Sequence, residues 1–251
     1  MHASDDLFLG GFLVPGGILP LRTDSANPTI QPGAGPLGRV IFLNIVPLTI
    51  QTASLAALQA SVKGVGLTLA AGTGLTQGFA PDGSGAIVYY FDVARSLSLT
   101  SVSDLSAINY LVTGYDFYGR RTTQLMAGPN NNTVTSLKAF ASIQSIVPQG
   151  ASASTVSAGT SDIFGIPWVV SDAGYVISAK WNNTLAQDAG TLVLADATSP
   201  ATNATGDPRG TYKPSANASN GSRRLVLCIH LTGGQCGVNA NVTNLLGVTP
   251  A

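Results

Sequence analysis

The chain has 251 residues and a mass of 25.5 kDa, enough for one large domain or two small ones with a real core. Only 10% of residues are charged, twelve basic side chains balance twelve acidic ones, and every acid is an aspartate. The lack of a basic surplus excludes a nucleic-acid binder, the 45% hydrophobic content excludes intrinsic disorder, and the lack of Glu argues against a helical bundle.

Residues 1–38 read as an extended N-terminal arm and linker. The apolar stretch MHASDDLFLGGFLVPGGILPL opens on Asp5 and Asp6 instead of a basic region, and Gly and Pro interrupt it, so it makes a poor signal peptide. RTDSANPTIQPGAGPLG (22–38) has a linker's composition. From 39 the pattern becomes that of a β body running to 251. RVIFLNIVPLTI (39–50) predicts a strand broken near Pro47. TASLAALQASV (52–62) is the best helical candidate, with Leu55, Leu58 and Val62 recurring at helical spacing. VGLTLA (65–70) alternates as a strand does. In GAIVYYFDVARSLSLTSV (85–102), Ile87, Tyr89, Phe91 and Val93 share a face, and a break at Ala94–Ser96 predicts a bulge, bend or turn before Leu97 and Leu99. AINYLVTGYDFYGRRTTQLMAG (107–128) predicts a hairpin turning at Asp116–Gly119. GPNNNT (128–133) is a further turn, followed by a strand over 134–150 with Ile143 and Val147 facing the core. QGASASTVSAGTS (149–161) reads as a polar connection and the candidate internal boundary. Strand candidates follow at 163–170, 174–182, 189–197 and 222–233, with a long Pro- and Asn-rich loop before the last. The spacing is that of an all-β fold: an antiparallel β-sandwich or jelly roll with at most one or two short helices.

The inventory for chemistry is thin. No segment supplies about 20 consecutive apolar residues, so no transmembrane helix and no membrane partner is expected. His2 lies on the arm, and His230 reads as an ordinary strand histidine. Cys228 and Cys236 either close a hairpin disulfide or stay free thiols; the lack of a secretion signal favours free thiols. Two Cys and two His at these spacings make no zinc site. Asp82, Asp116, Asp172 and Asp207 lie in turn contexts, where aspartate bonds its own backbone. No G-x-S-x-G elbow and no Walker lysine is present, so no catalytic, cofactor-binding or metal-binding residue is assigned and no cofactor is expected. Arg120–Arg121 and Arg223–Arg224 are either solvated strand ends or partners for acids on another subunit. Trp168, Trp181, Tyr118 and Tyr212 would serve a glycan-binding module if exposed, although aromatics on strands are more often core. A surface so poor in charge, with net charge +0, favours association and points to a homo-oligomer.

YLVTGYDFYGRRTTQLMAGPNNNTVTSLKAFASIQSIVPQG (110–150) resembles a pattern frequent in structural proteins of tailed bacteriophages. The matching residues are Thr113, Gly114, Asp116, Gly119, Gly128, Pro129, Asn130, Ser136, Phe140, Ser145 and Ile146. Trp181 and the late strand near 222–232 look similar too, whereas Gln124 or Leu125 replaces the acid usual in that family. The resemblance implies a non-enzymatic virion β-sandwich protein, assembled in the bacterial cytoplasm and bound to the major capsid protein or other head or tail proteins. A capsid decoration or cement role ranks ahead of a head–tail junction or tail role, with a receptor- or glycan-binding virion module as the alternative and a cell-wall hydrolase behind it. It transfers no catalytic residues.

Overall fold

A computed structural model describes residues 39–173, 176–182 and 186–231. Over these residues the protein is all β, and every strand pairing is antiparallel. The strands are β1 (Arg39–Ile45), β2 (Ala56–Ser61), β3 (Leu75–Phe79), β4 (Ile87–Thr100), β5 (Asn109–Tyr115), β6 (Arg121–Ala127), β7 (Thr133–Pro148), β8 (Ser152–Gly165), β9 (Val176–Trp181), β10 (Thr191–Val193), β11 (Thr211–Lys213) and β12 (Leu225–Leu231). No α-helix is present among the described residues, and none there is long and apolar enough to cross a membrane.

Two sheets form a sandwich-like body. The larger has nine strands in the order β10-β11-β8-β4-β7-β5-β6, with β2 added on β8 and β3 on β4; the smaller is β1-β12-β9. The long strands curl the larger sheet. β4 pairs along one edge with β7, and shares its other edge between β3 at Ile87–Phe91 and β8 at Arg95–Thr100. β7 likewise passes from β4 to β5. Such a strand must bend where its partner changes, and bulges between Tyr90 and Arg95 and between Ser96 and Ser98 let it. The concave face of the curl holds one core, built on Leu97, Leu99, Tyr110, Phe140, Ile143 and Ile146. A second core packs the small sheet through Leu225, Leu227, Ile229 and Trp181 onto Phe164 and Tyr212.

The predicted hairpin is β5–β6, in register from Asn109↔Ala127 to Tyr115↔Arg121, and the predicted strands near 39, 87, 134, 176, 191 and 225 are all present. β1 stops before Pro47, whose carbonyl accepts the Gly221 N–H at 2.9 Å. Ile143 is buried, but with Ile146, not Val147, as its companion, because the pairing of β7 with β5 shifts register at Thr113–Gly114.

Four expectations need correction. No strand spans 163–170, because 163–165 are the end of β8 and 166–170 carry no strand. Residues 52–62 hold no helix: Leu55 is buried, yet Leu58 is 63% exposed and Val62 54%, and 56–61 form β2 against β8. A stretch this short has too little helical stability of its own to resist pairing with a long neighbouring strand. Residues 149–161 are no connection, because 152–165 form β8, which pairs with β4, β2 and β11. Its Ser, Ala and Gly are small to admit backbone: a Cβ on Gly159 would overlap the Gln51 carbonyl. Residues 65–70 are not a regular strand, although Leu67 donates to the Ile146 carbonyl and Ala70 to that of Leu55. The arm (1–38), His2 and Cys236 lie outside the described residues, as does the side chain of His230.

Candidate functional site

The bulge in β4 turns Arg95 into the interior, where it is fully buried. Its Nε donates to the Ser161 carbonyl at 2.7 Å. Nη1 reaches the Leu48 carbonyl at 3.1 Å and Asp92 at 3.0 Å, and Nη2 reaches Asp162 at 2.7 Å. The guanidinium lies 5.3 Å from the Phe164 ring centroid. Asp92 also accepts the Leu48 N–H, and Asp162 that of Ser219, so this one cation ties β4 and β8 to the segments carrying Leu48 and Ser219.

A second buried cluster forms where the loop before β11 enters the body. Arg209 Nη1 meets Asp116 at 2.8 Å, and its guanidinium stacks 5.4 Å from the Tyr118 ring. Asp116 closes its own turn by accepting the Tyr118 and Arg120 N–H groups. Asp207 accepts from the N–H groups of Ala139, Arg209 and Gly210. Burial pushes its carboxyl above the ordinary range, against the pull of Arg209 and those bonds. Burial lowers the Lys138 ammonium, which donates to the carbonyls of Thr123 at 2.9 Å and Thr202 at 2.6 Å.

The third centre is Asp188, beside a pocket of about 240 Å³ lined by Val176, Ser178, Gln187, Leu192 and Tyr212, among others. Its carboxylate accepts from the Gly190, Ser215 and Ala216 N–H groups, the Ser215 hydroxyl and the Trp181 indole at 2.8 Å. Burial alone would raise this carboxyl, but the bonds from Ser215, Ala216 and Trp181 outweigh it and hold the group below its ordinary value. With its lone pairs so occupied, Asp188 clips the loops at 188–190 and 215–216 together and offers the pocket no spare acceptor.

At each centre fixed neighbours take up the charged group's hydrogen bonds, and the bonds tie separate segments together. Among the described residues no group of three or more His, Cys, Asp or Glu side chains is placed to hold a metal. Asp82, Asp116 and Asp207 do make the turn bonds their contexts predict. Cys228 is a buried free thiol in β12, pushed up by burial against a bond from Ser178. Arg223 donates to the Ala218 carbonyl of its own loop. Of the four aromatics, Trp181 is 3% exposed and Tyr212 is buried, Trp168 packs against the second core, and Tyr118 alone is exposed, its hydroxyl bonded to the Pro167 carbonyl. Sequence reasoning missed Arg95, Lys138, Arg209 and Asp188. The signal available for the first two was a lone cation inside an apolar strand, with Asp92 three residues before Arg95 in DVARSLSL and with no acid nearby in TSLKAFAS.

No protein-family model, curated protein or solved structure matches this chain. On the outer surface Phe42, Leu58, Phe79, Val102, Leu137 and Phe117 stand out from the strands and turns.

Proposed function

We propose that this chain is a non-enzymatic structural subunit of a tailed-phage particle, a capsid decoration or cement protein that binds the major capsid protein and copies of itself. The observation that carries this reading is the β7-β5-β6 unit of the larger sheet, in which several of the phage-like motif residues have a structural part. Gly114 lies where a Cβ would strike the Ser142 carbonyl and the Phe140 ring, and Gly128 where one would strike the Leu105 carbonyl. Asp116 and Gly119, whose φ is 73°, make the first turn. The Ser136 hydroxyl accepts the Leu97 N–H at 2.9 Å and donates to the Lys138 carbonyl at 2.6 Å, while Phe140 and Ile146 are buried in the core. The motif therefore specifies a way of bending strands, as a resemblance between structural proteins should. Exposed apolar side chains such as Phe42, Phe79 and Leu137 suit a subunit that spends its life in contact.

A head–tail or tail station draws on the same features, and stoichiometry separates them. Purified protein added to phage particles lacking it should bind saturably, in numbers on the scale of the major capsid protein; a handful of copies per particle would move the assignment to the junction or tail. Protein that stays monomeric and binds neither particles nor capsid protein would overturn the proposal. The glycan-binding reading loses its main supports, since Trp181 and Tyr212 are interior residues.

A further inference from the structure

A strand edge with unpaired backbone groups invites another strand, and this fold covers several of its own edges. At β6 the Leu125 N–H donates to the Asn203 carbonyl at 2.7 Å. At β3 the Leu75 N–H donates to the Gly72 carbonyl, and the Phe79 carbonyl accepts the Tyr90 hydroxyl. At β9 the Ala179 N–H donates to the Gln187 side chain at 3.0 Å, and the Ala179 carbonyl accepts the Asp188 N–H at 2.7 Å. The bonds at β9 also fix which way β1 points its backbone. In an antiparallel ladder each residue turns both its N–H and its C=O to one side, and successive residues alternate. Ala179 turns away from β12, while Asn182, just past β9, donates to the Arg224 carbonyl, so even residues of β9 meet even residues of β12. The odd residues of β12 then bond β1, and the register sets Leu225, Leu227 and Ile229 against Ile45, Leu43 and Ile41. Phe42 and Asn44 therefore aim their N–H and C=O groups off the sheet. Among the described residues nothing bonds to those groups. β1 runs seven residues in unbroken register, its one charge is Arg39 at the end, and Phe42 is 61% exposed.

We propose that β1 is an assembly edge, pairing antiparallel with β1 of a second copy about a two-fold axis at Phe42. An axis at the centre of the strand uses its whole length and pairs even residues with even ones, so the outward groups of the two copies meet. Phe42 falls opposite itself and Val40 opposite Asn44, each pair exchanging both bonds, while Arg39 falls opposite Ile45, so no like charges face each other. The edge is thus its own complement, which makes a second copy its occupant. Phe42 shares the outer face with Cys228 and Ser178, its neighbours in register, and the two Phe42 rings meet there as a cross-strand aromatic pair. Pro47 stops the pairing beyond β1: it has no N–H, and its carbonyl is taken by the Gly221 N–H. The small sheets of the two copies become one continuous sheet, and an isologous contact of this kind closes as a dimer without propagating into a fibre. A strand pair of this length reaches at most the lower end, about 1,200 Å², of stable interfaces, so the dimer is weak and depends on concentration.

The edge pairing deepens the assembly role proposed above and rests on it for its purpose, but its test is separate. Sedimentation velocity on the full chain, from about 1 to 100 µM to detect weak association, should move from the 25.5 kDa mass of one chain toward twice that mass. Over the same range amide exchange should slow at Phe42 and Asn44 and change little at Leu43, whose N–H bonds within the sheet already. Phe42→Lys and Phe42→Glu each put like charges on the axis at an exposed position, and each alone should sediment as a monomer with an unchanged far-ultraviolet spectrum. Mixed in equal amounts they should restore the dimer, because Lys then faces Glu. Asn44→Pro removes an N–H that points off the sheet, which an edge strand tolerates, and should also abolish the dimer. A wild-type monomer throughout the range would overturn the edge pairing, as would a dimer that survives Phe42→Lys or Asn44→Pro, or a mixture that stays monomeric. Slow exchange at Phe42 and Asn44 that does not depend on concentration would overturn it too, because the chain's own residues would then cover the edge. Failure of the protein to bind particles would instead strike at the virion role and leave the dimer standing.

Discussion

Arg95→Met removes a guanidinium and keeps most of the stem, so the expected loss comes from the ions left behind. The wild-type group bonds to Ser161, Leu48, Asp92 and Asp162. Without it two carboxylates face each other across an apolar side chain, and two carbonyls lose a donor. Removing one member of a buried charge set costs about 3–5 kcal/mol. Asp92 and Asp162 keep 11% and 16% of their side-chain surface exposed, so water can reach them, and the lower end, about 3 kcal/mol, is the expected value. That is a large share of the ~5–15 kcal/mol that holds a domain together. At about 2–4 °C per kcal/mol for a chain of this size, the midpoint should fall by about 6–12 °C. Thermal and urea unfolding followed by circular dichroism would measure it. Adding Asp92→Asn and Asp162→Asn should recover part of the loss, because the variant then buries no uncompensated charge. A single-variant loss below about 1 kcal/mol, or a triple variant no more stable than Arg95→Met, would refute the reasoning.

Two further outcomes follow from the same bonds. Asp188→Asn should cost about 2 kcal/mol or more at pH 7, since the amide nitrogen turns a donor toward buried N–H groups. The folded-state carboxyl of Asp188 lies below its ordinary value of 3.8, so its stabilisation is present above that value and fades as pH falls through the folded pKa. The gap between wild type and variant in urea midpoint should therefore narrow between pH 7 and about pH 3, and a constant gap would count against the assignment. Gly159→Ala should cost about 2 kcal/mol or more, because the Cβ meets the Gln51 carbonyl, which is backbone and cannot rotate away; its signature is faster amide exchange at Thr160, which bonds that carbonyl at 2.9 Å.

Those parts of the fold that local chemistry decides were legible in the sequence. The β5–β6 hairpin is written in Asp116 and Gly119, and the bend of β4 in the interrupted alternation around Arg95. The misreadings fall where distant partners decide. Residues 56–61 carry helix-like spacing, but β8 supplies backbone partners that outweigh it, and β8 looked like a linker because its small side chains make room for the chain at Gln51. Its role is visible only once both segments are in place. The candidate site was the least legible. Arg95, Lys138 and Arg209 gain meaning from acids and carbonyls far along the chain, Asp116 lying 93 residues from Arg209. No local pattern announces such pairs.

The missing glutamate has a geometric account in the turns. Six aspartates each accept the N–H of the residue two places on: Asp82 from Ser84, Asp104 from Ser106, Asp116 from Tyr118, Asp188 from Gly190, Asp196 from Thr198 and Asp207 from Arg209, at 2.8–2.9 Å. That bond closes because aspartate carries one methylene between backbone and carboxylate; glutamate, one methylene longer, overshoots it. Acids in this chain serve as turn clamps, and three of them, Asp116, Asp188 and Asp207, are buried in doing so, along with the cations Arg95, Lys138 and Arg209. Six of the charged side chains are thus held inside the fold, on fixed neighbours. The one-methylene reach that closes these turns also lets the carboxylates be buried, because neighbouring N–H groups fill their lone pairs.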